Sequence, residues 1–155
     1  MNITTTIEPS VVSEVYSDAL CLTRNLLTFL CNACNHTADG SISVHCSVIR
    51  DDGDPESKEA HPMLEFAVSD TGSGLRLADT AREGELWDPF VLSSSPRQST
   101  RHGLGLGLFV VSRQCEAMGG SCGMKENSDG NPSPNANPNP TVSRLLLPCA
   151  RAISL

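Results

Sequence analysis

Residues 103–108, GLGLGL, place three glycines at alternate positions just before FVVSRQCEAM, an apolar run with helical spacing. Gly103, Gly105 and Gly107 leave the backbone bare where a helix begins, and the first N–H groups of a helix lack partners of their own. A turn of this kind can approach a phosphate, because those N–H groups and the positive end of the helix both favour an anion. It can equally be a hinge that caps a core helix. The pattern lacks the Lys-Ser/Thr of a Walker loop and does not follow a strand, as a dinucleotide fingerprint would. By themselves the glycines leave both readings open.

The rest of the chain narrows them. Its 155 residues suit one domain, 1–155, with a core over about 3–148 and an Asn/Pro-rich insertion at about 127–140 that reads as disordered. A net charge of −7 argues against a broad footprint for nucleic acid or anionic lipid and leaves room for a local phosphate site. With no apolar run of about 18 residues and no basic-then-apolar start, nothing argues for a membrane span or direct membrane contact. A cytoplasmic setting is expected, either alone or as the cytoplasmic part of a membrane-associated sensor. Seven cysteines, odd in number and irregular in spacing, suit reduced thiols. Cys31 and Cys34 lack a second pair, so no zinc site is expected.

Residues 18–36 predict a helix with Asp18 as N-cap. Leu22, Leu26, Phe29, Leu30 and Ala33 share one face, predicted to be buried, and Asn25, Thr28, Asn32, Asn35 and His36 share a polar one. ITTTI near the N-terminus, SISVHCSVI and MLEFAVSD predict strands, the last two as a hairpin, and SCGMKE and TVSRLLLP predict two closing strands. A helix from Leu106 carries Leu108, Val111, Cys115 and Met118 on one face and stops at Gly119-Gly120.

A second glycine cluster, SDTGSG at 69–74, sets a carboxylate at the end of a strand beside a bare backbone. Ionised, Asp70 only accepts hydrogen bonds, so it suits an exocyclic amine such as that of adenine; it also suits a plain turn. Asn32 is open to two readings in the same way, as a solvated helix residue or as an oxygen ligand for Mg²⁺ held by a triphosphate.

In chain order, NLLTFLCNACNHT (25–37), FAVSDTGSGL (66–75), LWDPF (86–90), HGLGLGLFVVSRQCEAMGGS (102–121) and LLLP (145–148) resemble the ATP-binding catalytic domain of two-component sensor histidine kinases. They match its N box, first glycine box, F box and second glycine box. The wider superfamily includes gyrase, heat-shock chaperones and mismatch-repair proteins. The resemblance implies an α+β two-layer sandwich of the Bergerat type, in which helices cover one face of a mixed, mainly antiparallel sheet. It implies ATP and Mg²⁺ as cofactors. Asn32 then holds Mg²⁺, Asp70 reads the adenine amine, and Gly72 and Gly74 let the base lie on backbone. Phe90 is the F-box aromatic. Residues 91–102 become a lid whose Arg97 and Arg101 are open to two readings, as solvated loop residues or as cations that meet phosphate, and Gly103, Leu104, Gly105, Leu106, Gly107 and Leu108 form the seam over the phosphates.

Several positions depart from the family pattern. Thr28 stands where Asn, His or Glu is usual, Asn35 where a basic residue commonly approaches phosphate, Trp87 at the first F-box Phe, and Leu104 where Thr or Ser is common. Of the four histidines, His36 ends a helix, His45 faces outward on a strand, and His61 and His102 lie in loops; none sits in a helical acceptor segment. The resemblance therefore implies a catalytic part that donates the γ-phosphate of ATP to a histidine on a separate dimerisation domain, in cis or in trans, and indirectly serves a response regulator. Two other readings stay open: a nucleotide-binding pseudokinase or regulatory module, and a conformational ATPase. The second of these is weakened because Thr28 cannot act as the base that a Glu provides.

Overall fold

The structure, a computed structural model, describes residues 1–50, 62–72, 74, 83–91, 104–126 and 141–148. In chain order these form β1 (Asn2–Ile7), α1 (Ala19–His36), β2 (Ser41–Arg50), β3 (Pro62–Asp70), a 3-10 turn (Glu83–Trp87), α2 (Gly107–Ala117), β4 (Ser121–Glu126) and β5 (Thr141–Pro148). The predicted insertion at 127–140 lies outside the described residues.

Helix α1 begins where its cap predicts. The Asp18 carboxylate accepts from the backbone N–H groups of Cys21 at 2.9 Å and Leu20 at 3.0 Å, so two of the unpartnered donors of the first turn are satisfied. Those bonds, the one from Cys21 foremost, hold the Asp18 carboxyl below its ordinary range. Helix α2 stops through bonds from Gly119 N–H to the Glu116 carbonyl at 3.0 Å and from Gly120 N–H to the Cys115 carbonyl at 2.9 Å, the pairing of a Schellman turn.

The strands form one five-stranded sheet in the order β1-β2-β3-β5-β4. β1 runs parallel to β2 because α1 crosses between them, and the other pairings are antiparallel. This is the mixed, mainly antiparallel sheet that the motif order implies. Register then decides which side chains meet the helices. Ile42, Asp70 and Thr141 stand abreast on β2, β3 and β5, and one pleat further along so do Val44, Val68 and Ser143.

Phe29 and Ala33 of α1 and Val111 and Cys115 of α2 close over Ile42, Val68, Leu145 and Leu147 of the sheet in a single core. Phe29 is fully buried, which contributes about 2–3 kcal/mol. The predicted polar face of α1 needs one correction, because Asn25 is fully buried. The helix is covered by the sheet on one side and by α2 on the next, so its inner stripe is Asn25, Phe29 and Ala33. There the Asn25 amide nitrogen donates to Cys115 Sγ at 3.9 Å, and its Oδ1 has no partner among the described residues. Among the described residues no helix is long and apolar enough to cross a membrane.

Candidate functional site

The expected site residues fall at three places: the C-terminal end of α1, the end of β3, whose following turn packs against that end of α1, and the turn that opens α2, which meets α1 at Thr28. Asp70 closes β3 and is buried, 6% exposed. Its Oδ1 accepts from the backbone N–H of Gly72 at 2.9 Å. Burial raises the carboxyl above its ordinary value of 3.8, and the Gly72 N–H, the charge of His36 and the Thr37 hydroxyl pull it back down. The outcome is an acceptor held ready in a low-dielectric corner.

Gly72 is required there by close approach. A Cβ on it would collide with the carbonyl oxygen of His36 and lie 2.8 Å from Asp70 Oδ1. The glycine thus lets the turn after β3 press against the end of α1. Thr37, the C-cap of α1, is 3% exposed, and its hydroxyl lies beside the Asp70 carboxyl. Thr141, 8% exposed, is the register neighbour of Asp70 on β5. Neither threonine stands out in the sequence. Thr37 follows the end of a helix and Thr141 opens a strand, and only strand register and helix docking bring them to Asp70.

Asn32 lies toward the C-terminal half of α1, partly exposed, and lines a cavity of about 400 Å³ together with Leu20, Thr23, Arg24, Leu27, Thr28 and Cys31. Among the described residues no hydrogen bond holds its amide, so the side-chain oxygen is available to a hard cation. Asn35 is exposed one turn on. Thr28 donates its hydroxyl to the Arg24 carbonyl at 2.9 Å, a back-bond to the preceding turn.

Opposite Thr28 stands the start of α2. A Cβ on Gly107 would lie 3.2 Å from Thr28 Cγ2, so the N-terminal end of α2 abuts α1 one turn from Asn32. Ahead of it Gly105 takes a φ of +68°, and Phe90 is also left-handed at +68°. The Phe90 ring is exposed; its backbone, not its ring, meets the glycine turn. Gly74 has a φ of +72°. Leu106 caps α2 without a side-chain hydrogen bond, Leu104 is exposed, and Leu108 packs against the core. Arg97, Arg101 and Gly103 lie outside the described residues. The structure thus brings Asp70 and Gly72 to the end of α1, sets Gly107 against Thr28 one turn from Asn32, and leaves the side chains of Phe90 and Leu104 exposed.

Comparison with known proteins identifies the family and the fold. The family of histidine kinase-, DNA gyrase B- and HSP90-like ATPases matches residues 17–148. The chain is 30% identical over 119 residues to hybrid signal transduction histidine kinase B of Dictyostelium discoideum, covering 77% of this chain and 6% of that protein. It is 32% identical over 113 residues to the sensor protein IrlS of Burkholderia pseudomallei, covering 72% and 21%. It is also 35% identical over 115 residues to the virulence sensor protein BvgS of Bordetella pertussis, covering 74% and 8%. The chain therefore spans a small part of each of these relatives. Among solved structures, full-length ShkA in complex with AMPPNP superposes with a TM-score of 0.69 at 27% identity, over 99% of this chain and 26% of that one. The histidine kinase domain of the E. coli osmosensor EnvZ shares the fold, with a TM-score of 0.58 at 22% identity, over 99% and 78%. With the family's motifs and its sheet both in place, the chain belongs to the histidine kinase-, DNA gyrase B- and HSP90-like ATPases, as an ATP-binding catalytic domain of the sensor histidine kinase kind.

Proposed function

We propose that the chain, as a single domain, binds Mg·ATP in the cleft between α1, the end of β3 and the start of α2, and donates the γ-phosphate to a histidine on a separate dimerisation domain within a two-component system. The observation that carries this is the pairing of a buried acceptor at one end of α1, Asp70 against the His36–Thr37 turn, with an unheld amide, Asn32, one turn along the same helix. Asp70 accepts from the adenine amine, with the Thr37 hydroxyl beside it to serve the ring edge. Gly72 and Gly74 keep side chains away from the base. The backbone at Gly103, Gly105 and Gly107 and the positive end of α2 offer N–H groups to the phosphates, and Leu104, Leu106 and Leu108 space those glycines. Asn35, Phe90, Arg97 and Arg101 border the same site.

Asn32, whose amide no described group holds, would hold Mg²⁺, and the ion would supply charge neutralisation to the phosphates. The protein's own share of the work is positioning, since phosphoryl transfer asks little covalent chemistry of it. Thr28 argues against a water-activating ATPase, because its hydroxyl is committed to the Arg24 carbonyl and is no base.

The test is to incubate the purified chain with γ-labelled ATP, Mg²⁺ and a histidine-bearing dimerisation domain supplied in trans. Label on the histidine, lost with Asn32→Ala, is the expected result. ATP binding without transfer to any supplied acceptor is the result a regulatory module gives, and it would replace this reading.

A further inference from the structure

The proposed binding mode sets a direction along α1. The adenine end lies at Asp70 and the His36–Thr37 turn, Asn32 is one turn back toward the N-terminus, and Thr28, facing Gly107 at the start of α2, is one turn further. The next residue on that line is Arg24. It lines the same cavity as Asn32 and Thr28, and its Cα is about 12 Å from that of Asn32 along the axis, at 1.5 Å per residue. A nucleotide laid from Asp70 past Asn32 therefore brings its last phosphate toward Arg24.

Charge bookkeeping among the described residues leads to the same residue. The described ion pairs occupy Arg113 with Glu116 and Arg144 with Glu65, Arg50 ends β2 away from the Ile42–Asp70 pair, and Lys125 lies on the edge strand β4. Arg24 is exposed and makes no described ion pair, although it is close enough to Asp18 to favour that carboxylate's charge. Position 35, where the family pattern has a cation, holds an uncharged amide. A triphosphate in this cleft thus meets one described cation, and it stands at the γ end.

We propose that Arg24 contacts the terminal phosphate of the bound nucleotide and makes the site prefer ATP to ADP. This rests on the nucleotide reading above. A guanidinium suits the role because it is always charged and presents paired donors to phosphate oxygens. Thr28 helps to fix it, since its back-bond to the Arg24 carbonyl ties the two turns together.

The experiment is titration of the full chain with Mg·ATP and with Mg·ADP, for the wild type, Arg24→Gln and Arg24→Lys, with the melting midpoint of each variant measured alongside. Arg24→Gln is expected to weaken ATP about tenfold and to leave ADP within about twofold, and Arg24→Lys to recover part of the loss. The midpoints should match, because Arg24 is an exposed side chain. Equal changes for ATP and ADP, or none in either, with a wild type that binds both, overturn the role of Arg24 and leave the nucleotide reading intact. A wild type that binds neither nucleotide overturns both.

Discussion

The backbone N–H of Phe90 donates to the carbonyl oxygen of Gly105 at 3.0 Å, and both residues are left-handed, each with a φ of +68°. This single bond fastens the end of the Glu83–Trp87 segment to the turn that opens α2. Left-handed backbone costs a Phe roughly 1–2 kcal/mol, so the contact stores strain beside the proposed phosphate seam.

Gly105→Ala tests that junction. A Cβ there would lie 2.6 Å from the Val91 carbonyl oxygen and 2.8 Å from the Phe90 carbonyl carbon, on a backbone that disfavours it. The expected cost is about 1–3 kcal/mol, read as a fall in melting midpoint of roughly 3–10 °C together with weaker ATP binding. An unchanged midpoint would show that the turn rearranges freely.

Asp70→Asn separates stability from binding. Burial raises the Asp70 carboxyl above 3.8 in the folded chain, so the folded state binds this proton more tightly than the unfolded one. Stability from this group is present below the unfolded value and is lost as pH rises through the raised one. The difference in melting midpoint between wild type and Asp70→Asn should therefore change across that window, with the variant at least as stable as wild type at pH 7. ATP should weaken far more than bare triphosphate. Equal loss of both ligands would remove Asp70 from adenine recognition.

Asn25 offers a stability gain. Among the described residues its buried Oδ1 has no partner and its amide nitrogen reaches only a sulfur at 3.9 Å. Replacing a half-satisfied polar group with an apolar one of similar volume relieves the desolvation cost, so Asn25→Leu should add about 1–2 kcal/mol, or roughly 2–6 °C in midpoint. A lowered midpoint would mean that the thiol contact matters more than the orphaned oxygen.

Cysteine labelling maps the cleft without mutation. Cys31 and Cys34 are both exposed, but only Cys31 lines the cavity with Asn32. Mg·ATP should slow maleimide modification of Cys31 several-fold and leave Cys34 unaffected. Equal protection of both would point to a global change in place of occupancy.

Much of this architecture is legible in the chain because its signals are local. Asp18 caps α1 at the expected residue, and SCGMKE and TVSRLLLP become β4 and β5 over the expected spans. Motif order leads to the sheet for the same reason. The errors and omissions come where two elements meet. Asn25 is sorted to the polar face because periodicity assumes one covering layer, whereas α1 has two neighbours. Thr37, Thr141 and Arg24 carry no local mark; helix docking and strand register bring the threonines to Asp70, and a shared cavity brings Arg24 to Asn32. At Phe90 the motif marks an aromatic residue, and strand and turn packing add a backbone bond to Gly105 that the sequence does not announce.

Asn32 bears the central claim, that this cleft holds Mg·ATP. The direct measurement is calorimetric titration of wild type and Asn32→Ala with ATP, each in Mg²⁺ and in EDTA. The account predicts that Mg²⁺ strengthens ATP binding by the wild type, and that Asn32→Ala abolishes this gain with an unchanged melting midpoint, since the side chain is partly exposed and no described group holds it. Equal Mg²⁺-dependent affinity in the two proteins would contradict it.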